Sequence, residues 1–226
     1  MNKISNLIVH QDHHFLLADK PSGIPVQEDQ TGDSSLLKIL QAYCKHDLYL
    51  IHRIDRPVSG AVLFAKTKEA QTAINQQMID NQFQKTYLAV IPIGDISSTG
   101  TLEHELMHNA KLKKSFISEK NENSKNARLN YKVIAKLDKY MILEVNTETG
   151  RFHQIRAQLA HIGYPIKGDV KYGARRSNPD RSIGLHAWKV RWHHHKLNQW
   201  LDYTIQPPDS DVWKVFNSVY TAESIH

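Results

Sequence analysis

The chain has 226 residues with 29 Lys and Arg against 23 Asp and Glu, 14 His, one Cys and a formal charge of +6. A chain of this length buries roughly three quarters of the surface its unfolded form exposes, so it needs no disulfide or metal, and the lone Cys44 suits a reducing compartment. The start, Met-Asn-Lys-Ile-Ser-Asn, lacks a signal-peptide core, and no run of about eighteen apolar residues occurs, so the expectation is a soluble, cytoplasmic protein of one domain, 1–226, with no membrane span and a polyanion as partner.

In chain order, Leu7, Ile8 and Val9 start a strand and residues 15–18 form a second, followed by Lys20-Pro21-Ser22-Gly23-Ile24-Pro25-Val26, whose Pro-x-Gly-x-Pro spacing makes a turn. We assign that string no chemistry. Asp33 or Ser34 can cap a helix with Leu36, Leu37, Ile39, Leu40 and Tyr43 on one face. Residues 48–51 read as a short strand and 61–65 as a continuous apolar strand buried on both faces.

Between those strands lies Ile51-His52-Arg53-Ile54-Asp55-Arg56-Pro57-Val58-Ser59-Gly60, a tight loop in which Pro57 fixes one φ and Gly60 permits another. Arg53 and Arg56 flank Asp55 and favour its ionised form, which can serve as nucleophile or general base. By spacing alone the loop is equally a surface turn with an ordinary ion pair.

Thr67 caps a second helix with Ala70, Ala73, Ile74 and Met78 at helical spacing and glutamines on the other face. Residues 85–91 are a strand carrying Tyr87, which on its own is a core tyrosine. His104-Glu105-Leu106-Met107-His108 matches the zinc-protease pattern H-E-x-x-H, but its flanks are strand-like and no third ligand follows, so no metal is expected there. Lys111, Lys113, Lys114, Lys120, Lys125 and Arg128 are either a solvated face or an arm that contacts phosphates. A hairpin over 128–135 and 140–146 then leads to Thr149-Gly150-Arg151-Phe152-His153-Gln154-Ile155-Arg156, a helix from about His153 closed by Gly163, and Tyr164-Pro165-Ile166-Lys167-Gly168-Asp169-Val170-Lys171-Tyr172-Gly173. Two last strands, 185–192 and 200–205, flank a turn whose three histidines read as solvated, and Asp209 or Ser210 caps a terminal helix with Val212, Trp213, Phe216 and Val219 inward.

Three strings then agree with one family in the same order. His52-Arg53-Ile54-Asp55 with Ser59-Gly60, the Lys85-Thr86-Tyr87 triplet, and Gly150-Arg151-Phe152-His153-Gln154-Ile155-Arg156 with its Gly-Asp-x-x-Tyr-Gly continuation resemble the motifs of the RluA-type pseudouridine synthases. Lys-Pro-Ser-Gly-Ile-Pro-Val is similar to the family's first motif. The resemblance covers Phe15 to about Pro207.

It implies an α+β pseudouridine synthase fold: a long, mixed and mainly antiparallel sheet flanked by helices, with a central basic catalytic cleft. It implies Asp55 as the catalytic residue, Tyr87 as the ring that stacks on the target base, and Arg156 as the partner that orients Asp55 and keeps it ionised. RNA contacts are expected from His52, Arg53, Arg56, Arg151, His153, Gln154 and Lys171. The substrate is a ribosomal or transfer RNA stem-loop whose uridine is flipped out, and a monomer without metal or cofactor is expected. The small N-terminal RNA-binding module common in the family is not expected here. Arg56-Pro57-Val58 and Phe152 depart from the family's usual residues near the RNA path. Two other classes stay open at this stage: a non-catalytic RNA-binding protein and a zinc hydrolase using His104 and His108.

Overall fold

The computed structural model describes residues 4–223. A 3-10 turn at Ile4–Leu7 leads into β1 (Ile8–Gln11), β2 (Phe15–Lys20), α1 (Leu36–Cys44), β3 (Tyr49–Leu50), β4 (Ser59–Ala65) and α2 (Lys68–Ile79). Then come β5 (Gln84–Pro92), β6 (Thr99–Asn109), β7 (Lys114–Ser118), β8 (Lys125–Lys136) and β9 (Tyr140–Thr147). The chain finishes with α3 (Gln154–His161), a 3-10 turn at Val170–Tyr172, β10 (Leu185–His194), β11 (Gln199–Thr204) and α4 (Asp211–Glu223). The class is α+β, and none of the described helices is long and apolar enough to cross a membrane.

Two compact units divide the chain: one runs to Lys85 and resumes at His186, the other is Thr86–Leu185. In the first, β4 pairs antiparallel with β2 and β3 and parallel with β10, while β1 extends β2 and β11 extends β10. All seven residues of β4 are buried, as its unbroken apolar run predicts for a strand covered on both faces.

Gly60 sits opposite Ala187 in the parallel pair at φ 107°, where an added Cβ would lie 2.2 Å from the Ala187 carbonyl oxygen. Only glycine lets the strands meet there. Beside it, His186 Nε2 is 2.9 Å from the Ile205 carbonyl oxygen, which can only accept, so His186 Nδ1 accepts from the Ser59 hydroxyl, also at 2.9 Å. Ser59 and Gly60 thus join β4 to β10.

Helix α1 is capped by Ser35, whose hydroxyl accepts from Lys38 N–H at 3.3 Å, rather than by Asp33 or Ser34. The helix start is set by Leu36 and Leu37, whose N–H groups donate to the Pro25 and Val26 carbonyls, and Asp33 is turned to Arg56. Thr67 caps α2 as expected, accepting from Ala70 N–H. Its glutamines are not all solvated: Gln77 is buried, donating to the His193 carbonyl at 2.8 Å and accepting the His193 N–H at 2.9 Å. The amide acts as a short length of backbone that binds α2 to β10.

The triple histidine differs from a solvated turn. His193 and His194 lie in β10, and buried His194 places Nε2 3.1 Å from Asp12 while its Nδ1 accepts the N–H groups of Lys196 and Leu197. In α4, Val212, Trp213 and Phe216 are buried as expected, whereas the Val219 side chain lies outside the described residues.

The second unit is an antiparallel run in the order β5, β9, β8, β6, β7. Helix α3 packs against β6 and β7 through a small core of Leu106, Ala127, Ala157 and Tyr172. The H-E-x-x-H string lies within β6, so its two histidines are about 13 Å apart along an extended strand and not one helical turn apart. No group of three or more possible metal ligands occurs among the described residues.

Candidate active site

The loop carrying Asp55 is held from below by a buried cation. Lys20, opposite Gly60 in the β2–β4 pair, is fully buried, and its ammonium donates to the carbonyls of Pro21 (3.0 Å), Ile24 (2.8 Å) and Arg56 (3.2 Å). Gly23 N–H donates to the same Arg56 carbonyl at 2.8 Å, and Val58 N–H closes the loop onto the Asp55 carbonyl at 3.0 Å. Desolvation pulls the Lys20 pKa down to about 7, and the negative charge of Asp55 works against that fall. The Lys-Pro-Ser-Gly string therefore clamps the Asp55 loop through its first residue.

Along the loop, Asp55 is half-buried and Arg53 exposed. Half-buried Arg56 donates to the Thr31 hydroxyl at 2.9 Å and to the Asp33 carboxylate, with Asp29 at 3.6 Å, so it ties the loop to residues 29–33. His52 is buried with its ring 5.4 Å from that of Phe83, and its Nε2 accepts the Leu63 N–H at 3.1 Å. Burial, and then Lys85, bring its pKa down to about 3, so the ring is neutral. The structure places His52 as a brace between loop and β4, and not on the surface.

In the other unit, Tyr87 is buried in β5 opposite Val145 of β9. Arg156 is buried in α3, and its Nε and Nη2 reach the two oxygens of Asp169 at 2.7 and 2.9 Å, a bidentate pair in which both side chains are nearly inaccessible. The guanidinium carbon lies 5.0 Å from the centre of the Tyr172 ring. Asp169 and Tyr172 belong to the Gly-Asp-x-x-Tyr-Gly string, and their roles are invisible until the chain folds back on α3.

Tyr172 also fixes His153. Its hydroxyl accepts the Ser115 N–H at 2.8 Å and lies within hydrogen-bond distance, 2.9 Å, of His153 Nδ1. Burial, helped by the charges of Arg156 and Lys171, lowers the His153 pKa to about 3. His153 is thus a neutral ring in the left-handed conformation at the head of α3.

Gln154 is buried as well. Its amide oxygen accepts from the Thr149 hydroxyl (2.8 Å) and Arg151 N–H (3.0 Å), and its amide nitrogen donates to the Arg128 carbonyl (3.1 Å), so it shapes the turn before α3 from inside. Arg151 and Lys171 are exposed, and Arg151 Nε donates to the Asn126 carbonyl at 3.0 Å. Of the RNA contacts expected from sequence, Arg53, Arg151 and Lys171 are on the surface, Arg56 and His153 partly so, and His52 and Gln154 are inside.

The fold is that of a pseudouridylate synthase. It matches the solved structure of Human RNA Pseudouridylate Synthase Domain Containing 1 with a TM-score of 0.76 over 97% of both chains, at 21% identity. Residues 14–161 match the family model described as RNA pseudouridylate synthase. In sequence the chain is 28% identical to a tRNA pseudouridine synthase C of Vibrio parahaemolyticus, covering 92% of each. It is 30% identical to a Ribosomal large subunit pseudouridine synthase C of the same organism, covering 95% of this chain and 70% of that one. The chain belongs to the RNA pseudouridylate synthase family, of the RluA type.

Proposed function

We propose that this chain isomerises a uridine of ribosomal or transfer RNA to pseudouridine, acting as a monomeric cytoplasmic enzyme with one catalytic domain, 1–226, and with no metal or cofactor. The observation that carries the reading is the clamped Asp55 loop, in which Lys20 and Gly23 converge on the Arg56 carbonyl and hold a half-buried carboxylate in one backbone conformation. A fixed carboxylate is what proximity catalysis needs.

Asp55 is the acting group, attacking the sugar or base or removing a ribose proton. In each route the N1–C1′ bond breaks, the uracil turns, a C5–C1′ bond forms, the C5 hydrogen leaves to water and N1 gains a proton. The resemblance assigns Arg156 to orient that carboxylate, and Tyr87 offers a ring face to the detached uracil. The uridine must leave its stack first, at a cost of a few kcal/mol, and Arg53 fills the vacated space or clamps the neighbouring phosphate. Arg56, Arg151 and Lys171 add phosphate contacts, while His52, His153 and Gln154 serve the RNA by fixing the backbone that presents them.

Release of tritium from RNA labelled at uracil C5 tests this, with unmodified ribosomal and transfer RNA assayed separately. Release from one fraction supports the reading and names the substrate class; none from either, with RNA bound, contradicts it.

A further inference from the structure

Around the head of α3 the rings of four residues form a column. Phe152 and His153 stack with centroids 3.9 Å apart and planes 17° apart, His108 from β6 lies 4.4 Å from Phe152, and Tyr172 meets His153 edge-on at 5.5 Å. The column is anchored from beneath, because Ser115 donates its hydroxyl to the Phe152 carbonyl at 2.6 Å and its N–H to Tyr172. Only Tyr172 belongs to the apolar core of this unit; Phe152 is half-buried and His108 exposed, so the column rises from the core to the surface.

Its edge is cationic. Lys113, Lys114 and Lys171 are close enough that the first two, with Arg156, depress the Lys171 pKa beyond the effect of desolvation, and the carboxylate that opposes them, Asp169, is already engaged by Arg156. Lys114 Nζ lies 4.7 Å from the centre of the Tyr172 ring. Like charges gathered beside an aromatic surface cost energy in the free protein, and the cost is recovered when an anion with a flat apolar part binds. A nucleotide has both parts.

We propose that the His108–Phe152–His153 column, edged by Lys113, Lys114 and Lys171, binds one unpaired nucleotide of the substrate RNA, with its base against the exposed His108–Phe152 end and its phosphates on the ammonium groups. The inference rests on the reading of the chain as an RNA-modifying enzyme and assigns this subsite a share of its substrate choice. Being neutral, His153 contributes a ring and not a charge, and the salt-dependent part of binding belongs to the lysines.

The test uses a 12-nucleotide single-stranded RNA with a central 2-aminopurine, whose fluorescence falls when it stacks, together with steady-state pseudouridine formation on unmodified ribosomal and transfer RNA. Wild type quenches the probe. His108→Ala and Phe152→Ala lose the quench, weaken binding by about 5- to 150-fold, as expected for one lost stack, and raise KM more than they lower kcat. Lys113→Gln, Lys114→Gln and Lys171→Gln keep the quench at saturation and each reduce the slope of log affinity against log salt by about 0.7. Should Phe152→Ala fail to fold, the exposed His108→Ala decides alone. Wild-type quench and KM in these ring variants of an enzyme that forms pseudouridine would overturn the subsite and leave its rings as packing for α3. Normal quenching, lost in the variants, by a protein that forms no pseudouridine would instead overturn the enzymatic reading and leave the subsite standing.

Discussion

Lys20 is the residue whose weight is least visible in its surroundings in sequence. A lysine between a strand and a Pro-Ser-Gly turn reads as solvated, yet its ammonium is buried against three carbonyls. Lys20→Met keeps the volume but strips those carbonyls of a charged donor, and should cost about 1–3 kcal/mol in a urea melt while slowing turnover by loosening the Asp55 loop. The loop that carries Asp55 between two strands was legible, because the motif and the charged, proline-fixed turn coincide. Its support was not: Lys20, and likewise Asp169 beside Arg156, act through contacts that neither periodicity nor spacing encodes. Removing Arg156 strands a buried Asp169 carboxylate, so Arg156→Ala should lower stability by about 3–5 kcal/mol as well as activity. Arg156→Lys keeps the charge and loses the fork, and should separate the two effects: less destabilised, still slow.

At the scale of elements, the strands and helices were read from local pattern wherever that pattern was strong, as in the apolar run of β4, the Thr67 cap and the α3 periodicity closed by Gly163 at φ 86°. What escaped were polar side chains that join elements far apart in the chain. Gln77 bonds the His193 backbone across 116 residues, and Ser59 meets His186 across 127. Gln77→Ala should leave a buried N–H and C=O of β10 unpaired and cost about 2–3 kcal/mol, measured by chemical denaturation. At the same end of β10, Asp12 joins the β1–β2 turn to the last hairpin through His194. Desolvation alone would raise its pKa, but the N–H groups of His14 and Phe15, then His10 and His194, hold it at about 2. That folded value lies below the unfolded one of about 3.9, so the stabilisation is complete above pH 4 and disappears as pH falls through 2. Asp12→Asn should therefore cost on the order of 1 kcal/mol at pH 7, after allowance for solvent screening, and nothing near pH 2.

At the scale of the whole molecule, burial keeps His52 and His153 neutral, with pKa values of about 3, and His186 at about 4 despite its bond to the Ile205 carbonyl. In the unfolded chain each titrates near 6.5, so unfolding takes up protons below that pH. The share of stability that these three imidazoles govern should be constant above about pH 7 and fall between 6.5 and 4, with a slope approaching three protons; a flat denaturation midpoint from pH 7 to 5 would contradict these assignments.

The central claim is that Asp55 performs the chemistry and the basic surface performs the binding. The direct measurement compares tritium release from C5-labelled RNA, and RNA affinity by filter binding, for wild type and Asp55→Asn. Abolished release with affinity within a few-fold of wild type is the predicted result, since phosphate contacts dominate binding. Release by the variant at the wild-type rate would remove Asp55 from the reaction.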